Sequence, residues 1–187
     1  MHGTAGPACA REHHRALRGW AVGWHDDEWI ERPAGSGREL CWFPEPVGAR
    51  DCYRAELPDP WLLHRSLPNV DRISARTSAT RRDRFTARLP MLSPPHREGG
   101  VGALRVEARG QDERGVRSTL IMGIAELLGT AAAAVAAAFV DHLMTAGAAV
   151  PGVVTSSDEE LPTADLLATT ARSGVRLQAF TGVALPS

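Results

Sequence analysis

Two runs of alternating apolar and polar residues are the clearest pattern in the chain. They are VGALRVEARG at 101–110 and RGVRSTLIMGI at 114–124, with the polar stretch QDE between them. Alternation of this kind predicts two β-strands joined as a hairpin. It also gives the hairpin an apolar face, expected to be buried, and a polar face, expected to meet solvent or a ligand. The apolar face would carry Leu104, Val106, Ala108, Val116, Leu120 and Met122, and the polar face Arg105, Glu107, Arg109, Arg117 and Thr119.

Shorter apolar segments predict the remaining elements. Strands are predicted at 39–43, 51–57, 70–77 and 175–180, and helices at 11–17, 127–145 and 162–172, with a short helix in PDPWLLHRSLPN. The stretch 20–38 predicts an extended connector, and 78–100 a long excursion with one helical turn. The expected fold class is α+β, with a mainly antiparallel or mixed sheet of about five to six strands. The alanine-rich helix and a second helix would cover one face of that sheet.

The length of 187 residues suits a single domain. We divide the chain into a weakly ordered lead-in at 1–19 and the domain proper at 20–187. Leu120 to Val140 is apolar enough to be tested as a membrane span, with Glu126 as its only charge. Gly123, Gly129 and the alanine filling favour a buried helix instead, so no membrane contact is expected.

The charge and cysteine content exclude several classes of protein. All 21 basic residues are arginine, and 22 acidic residues leave a net charge of -1, so no nucleic-acid partner is expected. The absence of lysine rules out Schiff-base chemistry and a phosphate-binding P-loop. Three cysteines without CxxC spacing, and a start with no apolar signal region, predict a cytoplasmic protein.

Motifs for cofactors and metals are missing from the sequence. There is no GxGxxG turn for a dinucleotide and no HExxH, so we expect neither a cofactor nor a metal ion. His25, Asp26, Asp27 and Glu28 are adjacent potential ligands, but neighbours in extended chain point in opposite directions. They are interpreted as a polar turn.

The residues that could carry chemistry are scattered through the predicted strands and short helix. Tyr53, His64 and Glu107 are candidates for acid or base catalysis. Trp42 could form an apolar wall, and a ligand could bind to Arg54, Arg105, Arg109, Arg117 and Thr119. The alternatives stay open: Tyr53 as a core residue, His64 as a packed or surface histidine, and the arginines as a solvated face.

Several segments, taken in order, resemble a known family. They are GWHDDEWIERPA, CWFPEPVGARDCYRAELPD, GALRVEARG, AAAAVAAAFVDHLMTAG and VPGVVTSSDEELPTADLLATTARSGV. The chain resembles the carboxy-terminal domain of the saccharopine dehydrogenase-like oxidoreductases, from about Trp20 to Phe180. In that family an NAD(P)-binding Rossmann domain precedes this region, and the resemblance implies that the region forms the substrate-side and subunit-contact half. Too few residues precede the matching region here for a Rossmann domain, so the chain is expected not to bind NAD(P).

Three functions are compatible with these observations. The first is a stand-alone substrate-side domain that binds a small molecule, as a homodimer or with a separate nucleotide-binding chain. The second is a cofactor-independent cyclase, isomerase or lyase that uses the same cavity, and convergence of its acid-base candidates in one pocket would favour it. The third is a non-catalytic dimerisation or interaction module, which a broad exposed apolar patch would favour.

Overall fold

A computed structural model of the protein describes residues 6–89, 100–146, 152–155, 158 and 160–181. Within them, five helices form: α1 (Gly6–Ala16), α2 (Asp59–Ser66), α3 (Arg81–Thr86), α4 (Leu128–Ala146) and α5 (Thr163–Arg172). The strands are β1 (Trp20–His25), β2 (Glu28–Pro33), β3 (Glu39–Trp42), β4 (Ala49–Arg54), β5 (Arg72–Ser74), β6 (Arg76–Ser78), β7 (Val101–Gln111), β8 (Arg117–Leu127) and β9 (Gln178–Thr181). The predicted α+β class is therefore confirmed.

The strands form three small antiparallel sheets, so the prediction of one sheet of five to six strands is wrong. The orders are β2-β1-β5 in the first sheet, β3-β4-β6 in the second and β7-β8-β9 in the third. The segment predicted as one strand at 70–77 is interrupted at Ala75. Its first half, β5, pairs with β1, and its second half, β6, pairs with β4. The chain passes from the first sheet to the second at this residue, so the segment predicted as one strand contributes to two sheets.

The segment predicted as a connector is a β-hairpin. Trp24 in β1 lies opposite Trp29 in β2, and a two-residue turn joins the strands. Asp26 and Asp27 form that turn with φ of 49° and 63°, the left-handed conformation that tight hairpins require. The carboxylate of Asp26 lies 2.8 Å from Nδ1 of His25. The polar turn predicted for this acidic stretch is present.

The β7–β8 hairpin has the two predicted faces, but the prediction that its apolar face is buried is wrong. The register places Val106 opposite Met122 and Ala108 opposite Leu120, so the predicted apolar residues of the two strands share a side. On that side Leu104 is 47% exposed and Val106 is 51% exposed. Val116 precedes β8 and is exposed as well.

The opposite face of the hairpin packs against the second sheet. Ala103 of β7 is fully buried in a cluster with Phe43, Val47 and Cys52, and Ala125 packs beside them. Ala103 and Ala125 of the hairpin are small, so the second sheet can approach this face closely. The opposite face, with the bulkier side chains of Leu104 and Val106, is left exposed.

The alanine-rich helix α4 covers only one end of the apolar face. Ala131 and Ala134 of α4 pack with Val175 against Ile124 of β8, and α4 lies alongside α5. The predicted membrane-length segment is divided, because Leu120 to Leu127 belongs to β8. The 18 residues Leu128–Thr145 are long and apolar enough to span a membrane, and 17% of them are buried. The prediction that this helix is buried is therefore wrong for α4, most of which is not buried in the described chain.

Candidate functional site

A cleft of about 460 Å³ lies between α2 and β7. Its walls are mainly apolar, with four polar residues among them. The lining residues are Asp59, Leu62, Leu63, Ser66, Leu67, Leu104, Val106, Asp158, Leu161 and Thr163. The cleft is an open groove whose volume falls within the range of small-molecule sites.

The position of α2 follows from its sequence. Pro58 and Pro60 flank Asp59 at the start of the helix, where a fixed φ and a missing N–H are tolerated. The cleft residues of α2 are at positions 59, 62, 63 and 66, which is the spacing of one helical face, and Leu67 follows directly after the helix. The side chain of Asp59 lies in the first turn, where the helix dipole favours a negative charge. One face of α2 therefore supplies half of the cleft.

Asp158 is the second carboxylate of the cleft, and its charge is already compensated. Its side chain is 13% exposed and lies 3.3 Å from Nη2 of Arg65. The backbone N–H of Thr155 donates to its Oδ2 at 2.7 Å. This hydrogen bond is the main reason why the pKa of Asp158 is lowered, and the Thr155 hydroxyl and the Arg65 charge lower it further. Asp158 thus connects Thr155 to Arg65 of α2 at the edge of the cleft.

The other side of α2 contacts an aromatic cluster. The imidazole of His64 stacks on Trp24 with ring centroids 4.0 Å apart, and Trp61 stacks on Trp29 at 3.8 Å. Both Nε1 of Trp24 and Nδ1 of His64 are buried without a hydrogen-bond partner in the described part of the chain. The predicted acid-base candidate His64 is a packed histidine that holds α2 on the first sheet.

The predicted polar face of the hairpin forms a charge cluster on the side away from the cleft. Glu107 accepts hydrogen bonds from both Arg105 and Arg109. Burial raises the pKa of Glu107, but the hydrogen bonds from Arg109 and Arg105 outweigh burial, so the pKa is lowered overall. Thr119 lies opposite Arg109 and Arg117 opposite Gln111, so both share this face as predicted.

The remaining predicted residues lie in the second sheet. Tyr53 is buried, and the guanidinium of Arg84 lies 4.2 Å from the centre of its ring, which supports the interpretation of Tyr53 as a core residue. Arg54 donates to Oγ of Ser36 at 3.4 Å. The side chain of Trp42 is 67% exposed and does not line the cleft.

The structure does not bring the three acid-base candidates together. In the described part of the chain, no hydrogen bond, ion pair or ring contact joins Tyr53, His64 and Glu107, and none of them lines the cleft. No group of three metal-ligating side chains forms among the described residues either. The cleft residues Asp59 and Asp158 were missed by sequence reasoning. The helical spacing in DPWLLHRSL was the available signal for the first.

Comparison with known proteins adds no relative. A scan against models of protein families and a search of the curated proteins each found no match.

Proposed function

We propose that this chain is a small-molecule-binding domain related to the substrate-side half of the saccharopine dehydrogenase-like proteins, and that its ligand occupies the α2–β7 cleft. The observation that carries the proposal is the cleft itself, with an apolar lining and a carboxylate at the start of α2. Its volume of about 460 Å³ suits a small metabolite. The relationship to the family rests on the resemblance of the sequence segments.

The polar groups of the cleft indicate the chemistry of the ligand. Asp158 is engaged by Thr155 and Arg65, whereas the Asp59 side chain has no hydrogen bond or ion pair within the described ranges. Leu62, Leu63 and Leu104 provide apolar surface in the same cleft. A ligand with an apolar body and an ammonium group would bury its body on the leucines and place its charge at Asp59. NAD(P) is not the expected ligand, because no glycine-rich turn is present to hold its pyrophosphate.

Thermal unfolding with three ligands that share a cyclohexyl ring and differ in charge tests this proposal. Cyclohexylammonium should raise the Tm, whereas cyclohexanol and cyclohexanecarboxylate should raise it less or not at all. At ten times its Kd, the amine should stabilise the fold by about 1.4 kcal/mol, or about 3–6 °C in Tm. Asp59→Asn should remove the preference for the amine, because it removes the negative charge and keeps the shape of the side chain.

The matched control is Asp141→Asn, since Asp141 is an exposed carboxylate of α4 outside the cleft. This variant should keep the response of the parent protein. Equal shifts from all three ligands, or an amine response that survives Asp59→Asn, would contradict the assignment of the cleft. Stabilisation by NAD or NADP would contradict the expected lack of a nucleotide site.

A second candidate function, an interaction module, is favoured by the exposed apolar face of the β7–β8 hairpin. Leu104, Val106, Leu120 and Met122 are between 37% and 51% exposed on one side of two adjacent strands. A continuous apolar surface of this kind is typical of contacts between proteins. The two candidates are compatible, since Leu104 and Val106 belong to both the face and the cleft.

A further inference from the structure

Strand β7 is an edge strand in the described part of the chain. It lies at the end of the third sheet and pairs with β8 on one side, and within the described residues no strand pairs with its other side. It is 11 residues long, while the strands at the edges of the first two sheets have between three and six. From Leu104 to Gln111 none of its residues is buried. Exposed edges of this length are templates for pairing with another chain.

The sequence of β7 is complementary to itself in antiparallel orientation. If a two-fold axis passes through Val106, residue Val106 lies opposite Val106 of the partner subunit. Arg105 then lies opposite the partner's Glu107, and Glu107 opposite the partner's Arg105. Arg105 and Glu107 already form an ion pair within each chain, and this register joins the two ion pairs into one cluster of alternating charges across the axis. Opposite charges directly across two strands stabilise their pairing. The same register places Leu104 opposite Ala108 of the partner subunit, so apolar residues meet on the other face.

We propose that two copies of this chain pair through the outer edges of β7 in this register. The pairing joins the two third sheets into one continuous six-stranded sheet across the two-fold axis. It satisfies the edge N–H and C=O groups of β7 and brings together the apolar faces of both hairpins. The partner is a second copy, because the alternating pattern Arg105, Val106, Glu107 is matched by its own reverse. A net charge of -1 per chain gives little repulsion between copies.

The first experiment is a charge exchange followed by sedimentation velocity over a range of protein concentrations. The parent protein should form a dimer. Glu107→Arg places like charges opposite each other at both sites and should weaken the dimer about tenfold or more. The double variant Arg105→Glu with Glu107→Arg restores opposite charges across the axis and should recover most of the affinity. Circular dichroism of each variant shows whether it is folded.

The second experiment locates the axis by disulfide formation. In Val106→Cys the two introduced thiols would face each other with Cα atoms about 4.5–5.5 Å apart, within the range of a disulfide. In Leu104→Cys, a matched control of similar exposure, the two introduced thiols would lie four residues apart along the strands, or about 13 Å. Under mild oxidation, mass spectrometry should find a disulfide between the introduced thiols of two Val106→Cys chains. It should find no such link between two Leu104→Cys chains.

Three results would overturn the proposal. A monomer at all concentrations overturns the proposal, as does a dimer that resists the single charge change. Cross-linking of Leu104→Cys as efficient as that of Val106→Cys also overturns it. If Glu107→Arg fails to fold, the double variant and the two cysteine variants still decide the question. The result does not depend on the ligand of the α2–β7 cleft, so either proposal can fail alone.

Discussion

Gly123 of β8 is the position where a single methyl group should disturb the packing of two sheets. A Cβ atom added there would lie 2.9 Å from Cγ of Pro44, 3.2 Å from its Cδ and 3.0 Å from the carbonyl oxygen of Leu104. Ordinary van der Waals contacts of a Cβ begin at about 3.4 Å. Neither obstacle yields easily, because one is a buried proline ring and the other is the backbone of the paired strand. Gly123→Ala should therefore push the second sheet away from the hairpin.

The expected cost can be bounded. Forcing an extra methyl into a packed interior costs about 1–3 kcal/mol. In a protein of this size, each kcal/mol changes the Tm by about 2–4 °C. Gly123→Ala should accordingly lower the Tm by about 2–12 °C in a thermal unfolding experiment followed by circular dichroism.

Gly110→Ala is the matched control in the neighbouring strand β7. A Cβ at Gly110 meets no atom within 4 Å. Both substitutions reduce the freedom of the unfolded chain by a similar amount, about 0.4–1 kcal/mol, so this contribution cancels in the comparison. The difference between the two variants then measures the clash. If both variants unfold within about 1 °C of each other, the close contact between Pro44 and β8 does not exist as described.

Two further substitutions, each with a matched control, test individual contacts. Arg84→Ala removes the guanidinium above Tyr53 and its hydrogen bond to the Gly35 carbonyl. It should lower the free energy of unfolding by about 1–2 kcal/mol in a denaturant experiment. Arg82 is exposed on the same helix, and Arg82→Ala should change the free energy of unfolding by no more than about 0.5 kcal/mol. The lowered pKa of Asp158 means that its carboxylate contributes stability above its unfolded pKa of about 3.9, and that this contribution is lost as the pH falls through the lower folded pKa. Asp158→Asn should therefore reduce stability at neutral pH and make stability fall less steeply below about pH 4. Asp141→Asn should leave the loss of stability in acid unchanged. If Asp158→Asn also left it unchanged, the role of the Thr155 hydrogen bond would be contradicted.

Much of the local structure was predictable from the sequence. The hairpin of β7 and β8, the alanine-rich helix and α5 were all found close to their predicted positions, because each has a clear period or clear end signals. The division of the hairpin into two faces was also correct, since alternation alone fixes which residues share a side. Charge neighbours such as Arg105 and Glu107 follow from the same alternation.

The site could be predicted only in part. Asp59 and the leucines of α2 carry a helical spacing that marks one face of the helix, but the sequence does not state what that face meets. Asp158 lies about a hundred residues from α2 along the chain, and no local pattern connects them. His64 was a reasonable acid-base candidate by residue type, yet its stacking on Trp24 depends on how α2 docks against the first sheet.

What the sequence determined by itself was therefore local: the class of elements, their order and the separation of residues onto faces. The tertiary structure decided which face was buried, because small residues at Ala103 and Gly123 let the second sheet approach that side while the bulkier Leu104 and Val106 remained exposed. It also decided that nine strands form three sheets in the described chain, since strand pairing depends on where the chain turns in space at Ala75. Alternation depends only on neighbours in sequence, whereas burial and pairing depend on residues far apart in the chain.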